Sequence, residues 1–358
     1  MWSNRRILDL TGIEHPIIEA PMAGPGTSAL SIGAIKGGGL GSMPCAMLNA
    51  EQARNEFNLI KQQAGGPINM NFFCHLDPKA DPSRETAWRA RLTPYFDEFG
   101  LDPNASTNSP NRSPFNSAMC DLMVELKPRV VSFTFGLPPL QDCERLKRAG
   151  CLIFGTATTV AEAKWLEDRG ADAVVAQGLE AGGHRGMFLS DDIASQVGTF
   201  ALVPQVVDTV SVPVIAAGGI VDGRGIAAAL VLGASAVQIG TAYLLCPEAK
   251  LTGAYRKALL QAAGSGTALT NVISGRPARG IVNRIMRDLG PIAEAMPQFP
   301  LPAAMIAPLR AKAEAQGSGD FSPLWAGQAA SLARPMNAEE LTKKLAQDAL
   351  ECLASIAA

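Results

Sequence analysis

The chain has 358 residues, 47% of them hydrophobic and 18% charged, with a formal net charge of −2. That composition excludes a disordered chain, and the near-balanced charge leaves no electrostatic footprint for nucleic acid or an anionic membrane. The length suits one large α/β domain or two smaller ones.

Residues 1–16 carry Arg5, Arg6, Asp9 and Glu14 without an apolar stretch, so no signal peptide is expected. Eight short apolar runs follow, at 17–22, 39–43, 68–73, 130–135, 152–156, 173–177, 213–217 and 236–240. Helix-like segments lie between them, among them 141–149, 160–169 and 225–232. Gly170 and Gly233 each end a helix and hand over almost at once to an apolar strand. Alternating strand and helix gives a parallel sheet, and eight such units in about 250 residues predict an α/β protein of the (β/α)8 TIM-barrel type.

The barrel is expected over 1–246, with an insertion at about 75–116 that is rich in Pro, Asn, Ser and charge. A helical cap is expected over 247–335, with helices at 250–263 and 303–316, and a C-terminal amphipathic helix over 336–358. Asn337 is placed to cap that last helix, with Glu340 at its third position. The stretch 226–246 has no charged residue, yet Gly233-Ala234-Ser235 interrupts it. A buried helix running into a buried strand explains it, and no membrane span is expected. Seven widely spaced cysteines, without CxxC or HExxH, predict reduced thiols in a cytoplasmic protein and no metal site.

Barrel enzymes work at the C-terminal ends of their strands. The sixth run ends in Gln177-Gly178-Leu179-Glu180-Ala181-Gly182-Gly183-His184-Arg185-Gly186, which holds one of only three histidines. Gly218-Gly219 follows the seventh run, and Gln238-Ile239-Gly240-Thr241 closes the eighth. Backbone N–H groups in those two loops commonly hold phosphate, which points to a phosphorylated cofactor rather than a metal. Asp222 is a candidate helix cap, and Arg224 a candidate counter-charge. Asn69 and Asn71, two apart, share one strand face, as ligand-binding amides or as satisfied structural ones. With Gln177 and Gln238 they form an amide-rich, charge-poor set that suits the edge of an isoalloxazine. No GxGxxG opens a βαβ unit, so a Rossmann nicotinamide site is not indicated.

These motifs resemble the nitronate monooxygenase family, formerly called 2-nitropropane dioxygenases. The match extends from Ala20-Pro21-Met22-Ala23-Gly24, Gly38-Gly39-Leu40-Gly41 and Asn69-Met70-Asn71-Phe72, through the loop of His184, to Gly275-Arg276-Pro277-Ala278-Arg279-Gly280 and Trp325-Ala326-Gly327-Gln328. The resemblance implies an FMN-dependent barrel with a helical cap. FMN would touch Met22, Asn71, Gln177, Gly182, Gly218, Gly219, Gln238, Ile239, Gly240 and Thr241, and His184 would be catalytic. The implied reaction is oxidation of alkyl nitronates, such as propionate 3-nitronate, with O2, which detoxifies nitro compounds without metal or reduced nicotinamide. A monomer or homodimer is expected. Flavin-dependent enoyl-ACP reductases and NADH:quinone reductases carry a similar histidine loop, but Gln177 before it and Arg185 after His184 look more like the monooxygenase branch. A non-catalytic flavin-binding protein would not require His184. Arg112, Arg279 and Arg284 are the arginines offered to a carboxylate-bearing nitronate, with surface or structural roles as the simpler reading. An unperturbed imidazole titrates near pH 6.5, so either state of His184 is expected near neutrality.

Overall fold

The computed structural model describes residues 2–104, 112–262, 266–294 and 296–357. The apolar runs form strands β1 (Ile17–Glu19), β2 (Gly41–Pro44), β3 (Ile68–Phe73), β4 (Val130–Thr134), β5 (Leu152–Ala157) and β6 (Ala173–Gln177). After the two-residue strand β7 (Gly183–His184) come β8 (Val214–Ala217) and β9 (Ala236–Ile239), and then β10 (Thr267–Thr270) and β11 (Ala278–Ile281). The eight strands predicted from the apolar runs make one parallel sheet in the order β1-β9-β8-β6-β5-β4-β3-β2. The remaining three form a small antiparallel sheet, β10-β11-β7.

The large sheet closes on itself through a narrow seam. Ile18 of β1 bridges Leu40, whose N–H donates to the Ile17 carbonyl at 2.9 Å while its own carbonyl accepts from Glu19 N–H at 2.9 Å. Beyond that bridge a side chain replaces the ladder. The buried carboxylate of Glu19 accepts from Ser42 N–H at 2.7 Å. Helices cover the outside, so strand residues are buried on both faces, which is why the runs read as continuous rather than alternating.

Asp222 caps the helix Gly223–Val231, accepting from the N–H groups of Arg224 and Gly225. The exposed Arg224 guanidinium pairs with that same carboxylate at 2.5 Å, which ties it to the cap. The uncharged stretch 226–246 is this helix, β9 and the short helix Thr241–Leu244. Among the described residues no helix is long and apolar enough to cross a membrane. The C-terminal helix Ala338–Ala357 starts with Glu340 N–H donating to Asn337 Oδ1 at 2.8 Å. It packs on Gly223–Val231 and on the helix Ser28–Lys36.

The cap helices are Gly253–Leu260 and Leu301–Ala315, with position 263 of the expected first helix outside the described residues. The insertion contains the helix Pro82–Phe99, and its positions 105–111 lie outside the described residues. Trp88, Leu92, Tyr95 and Phe96 of that helix share one apolar cluster with Ile306, Leu309, Ala313 and Phe321. Insertion and cap are therefore a single layer, although about two hundred residues separate them in sequence.

Candidate active site

One cavity opens at the C-terminal ends of the barrel strands. Met22, Asn71, Gln177, Gly182, His184, Gly218, Gly219, Gln238, Gly240 and Thr241 all line it. Ile239 does not. Successive strand residues point to opposite sides, so Gln238 faces the cavity while Ile239 is fully buried in the core. Its carbonyl is taken by Ala20 N–H at 2.9 Å. Asn69 and Asn71 separate by depth. Asn71 lines the cavity and donates to Ser132 Oγ at 2.9 Å. Asn69 donates to Ser42 Oγ at 2.9 Å, and its Oδ1 is buried without a partner.

At the β8 and β9 end, the N–H groups of Gly218, Gly219 and Thr241 donate to no described protein group. Gly218 (φ 114°) and Gly219 (φ 71°) have left-handed backbone that side chains resist. Among the described residues no Asp or Glu lines this cavity. Free backbone donors without carboxylates fit an anionic group such as a phosphate. Gly182 has a different reason to be glycine: a Cβ there would stand 2.5 Å from Gly327 N, so the loop packs tightly on the chain after Trp325.

The other end is built around His184, which is not a free loop residue. β7 pairs with β11 in the register Ala278 to His184. Gln177 spans the loop, its Oε1 accepting from Gly186 N–H at 2.8 Å and its Nε2 donating to the His184 carbonyl at 3.1 Å. Arg185 is fully buried and donates to the carbonyls of Gly178 and Gln177, both at 2.6 Å, and to Gln196 Oε1 at 2.8 Å. Burial lowers its pKa to about 10, which leaves it charged at neutrality. Arg185 therefore staples the loop and does not line the cavity.

Ser274 Oγ lies 2.9 Å from His184 Nε2 and 3.2 Å from the Arg276 carbonyl. That carbonyl only accepts, so the hydroxyl donates to it and His184 Nε2–H donates to Oγ. Nδ1 then keeps the lone pair. The ring is surrounded by Phe73, Phe135, Phe299 and Trp325, with centroids 5.3–6.4 Å away. Burial, then the positive charges of Arg112 and Arg276 and the nearby His75, push its pKa well below the ordinary value. The imidazole is neutral at pH 7, not poised between states as its ordinary pKa had suggested.

Of the three arginines noted in the sequence, only Arg112 reaches the cavity. Arg279 is buried and donates to the Leu179 carbonyl at 2.9 Å. Arg284 pairs with Glu98 at 2.6 Å and Asp288 at 3.3 Å. Sequence pattern did not single out Phe73, His75, Ser274 or Phe299. Phe73 follows Asn71 by two, so the strand period could have found it. Ser274 precedes the 275–280 motif, whose purpose is now visible: it carries the partner strand of His184.

The fold and this cavity define a barrel enzyme acting on a small molecule at its strand ends. A family model described as nitronate monooxygenase matches residues 4–348. The chain is 44% identical to a nitronate monooxygenase of Pseudomonas aeruginosa, over 96% of this chain and 98% of that one. It is 37% identical to a probable nitronate monooxygenase of Staphylococcus saprophyticus, over 99% of each. The solved nitroalkane oxidase of Streptomyces ansochromogenes superposes with a TM-score of 0.88 at 34% identity, covering 98% of this chain and 99% of that one. FabK from Thermotoga maritima gives 0.73 at 26% identity, covering 98% of each chain. The chain belongs to the nitronate monooxygenase family and is an oxidoreductase; the family is flavin-dependent.

Proposed function

We propose that this chain oxidises alkyl nitronates with O2, with FMN bound at the barrel mouth, and so removes toxic nitro compounds in the cytoplasm. The observation that carries this reading is one acid-free cavity with a neutral His184 at one end and unpaired backbone N–H groups at the other. Gly218, Gly219 and Thr241 would hold the phosphate. Asn71, Gln177 and Gln238 would meet the ring edge, with Met22 and Gly240 beside them. When bound, FMN supplies the acceptor for the substrate's electrons and returns them to O2.

The remaining work belongs to the chain. Phe73, Phe135, Phe299 and Trp325 exclude water around His184. Ser274 orients the imidazole so that Nδ1 can accept a proton. A preformed nitronate has already lost its α-proton, whereas a neutral nitroalkane must give it up first, and His184 is the base for that step. The purified protein is expected to be yellow and to release FMN rather than FAD. Nitronate added without oxygen should bleach the flavin, and NADH should not. A colourless protein that fails to bind added FMN overturns the reading. So does NADH oxidation stimulated by a quinone or an enoyl thioester.

A further inference from the structure

Among the described residues Arg112 is the one permanently charged side chain lining the cavity. Its Nη1 is buried and has no hydrogen-bond partner among the described residues. No described carboxylate pairs with it, and the charged group acting on it is another cation, Arg310. Burying an unpaired guanidinium is costly, and an anion arriving in the cavity would offset that cost. The position of the charge says which anion. Arg112 borders the Phe299 ring at 5.9 Å, and that ring borders His184 at 5.3 Å. The free N–H groups suited to phosphate belong instead to the ends of β8 and β9. Arg112 and His184 therefore flank the same aromatic ring and both line the cavity.

We infer that Arg112 binds a second anionic group of the substrate, a carboxylate, and so selects nitronates with an acidic tail over plain alkyl nitronates. The guanidinium fork matches a carboxylate in a bidentate way. A neutral His184 carries no charge that would draw the carboxylate to the reacting end. The inference rests on the proposed function for the nitronate half of the substrate and assigns the residue that reads the other half.

The test compares FMN-loaded wild type, Arg112→Met and Arg112→Lys on propionate 3-nitronate and on propyl 1-nitronate, which has the same chain length without the carboxylate. Loss of a charge-assisted contact predicts a fall of roughly 10- to 150-fold in kcat/KM for Arg112→Met on the first substrate, mostly in KM. Little change is expected on the second, and Arg112→Lys should recover part of the loss. FMN content should stay the same. Equal losses on both substrates, no loss on either, or loss of FMN overturns the inference. Calorimetry with propionate and its neutral isostere propionamide reads the same contact without turnover. Wild type should prefer propionate and Arg112→Met should not; a wild type without that preference overturns the inference. If wild type oxidises no nitronate, the proposed function fails, while the propionate comparison still decides the role of Arg112.

Discussion

His184 combines two properties that a base for carbon acids needs: a neutral ring at working pH and a fixed tautomer. Burial among aromatic rings and the charges of Arg112 and Arg276 supply the first, and Ser274 the second. His184→Asn keeps a hydrogen-bonding amide but cannot take a proton. The variant should keep FMN and lose about 10²–10⁴-fold in rate on neutral nitroalkanes. Its rate on preformed nitronates should change far less, which parallel steady-state assays on nitroethane and ethyl nitronate would read. Equal losses on both would move His184 from base to electrostatic or binding residue. The depressed pKa also sets the pH profile. Wild-type oxidation of a neutral nitroalkane should hold as pH falls through 6.5 and decline only at lower pH.

At the scale of elements, the histidine loop is held from three sides. β11 pairs with it, Arg185 and Gln177 tie it to the end of β6, and Glu162 holds the chain that follows. Glu162 lies in the helix Val160–Asp168 and is 1% exposed. One carboxylate oxygen accepts from the Thr158 N–H and hydroxyl, both at 2.7 Å. The other accepts from Phe188 N–H at 2.6 Å and Leu189 N–H at 3.1 Å. Glu162→Ala would strand the two buried Thr158 donors, at roughly 1–3 kcal/mol for each left unpaired, and release the half-buried Phe188 N–H and the more exposed Leu189 N–H. Urea unfolding should show a clearly lower midpoint for Glu162→Ala and a smaller drop for Glu162→Gln, which can still accept on one side. An unchanged midpoint would mean that water replaces the carboxylate without cost.

For the whole molecule, barrel closure depends on a buried acid. Glu19 is fully buried at the β1–β2 seam, and one of its oxygens has no partner. Burial raises its pKa to about 8, against the opposing bonds from Ser42 and Ser31. Buried Tyr243 and Cys246 lie close enough to feel its charge. In the window between the ordinary carboxylate value and about 8, the folded state holds a proton that the unfolded chain has released. Stability from this group is therefore full at low pH and is lost as pH rises through about 8. The slope is at most about 1.4 kcal/mol per pH unit for one proton. Glu19→Gln keeps an acceptor for Ser42 and removes the titration. Urea midpoints from pH 5 to 9 should decline for wild type and stay flatter for the variant; parallel curves would remove Glu19 as the cause.

The sequence by itself determined the repeating architecture and the glycine-rich strand ends. Those features are local. An apolar run flanked by glycine is a buried strand whatever it later touches, and Gly218-Gly219 and Gly240-Thr241 lie next to their strands in the chain. Asn71, Gln177, Gln238 and His184 were legible because strand period and strand end together say where a side chain points. What only the tertiary structure decided is long-range. Ile239 alternates with Gln238 along β9, and which of the two faces the cavity was fixed by the pairing of β9 with β1 and β8 in the closed sheet. Arg185 became a buried staple, and Arg112 a cavity residue, through partners no local pattern names. Ser274 and Phe299 reach His184 from about ninety and more residues away. The protonation state of His184 follows from burial and from charges on separate elements, and those distances exist only once the cap has closed over the barrel.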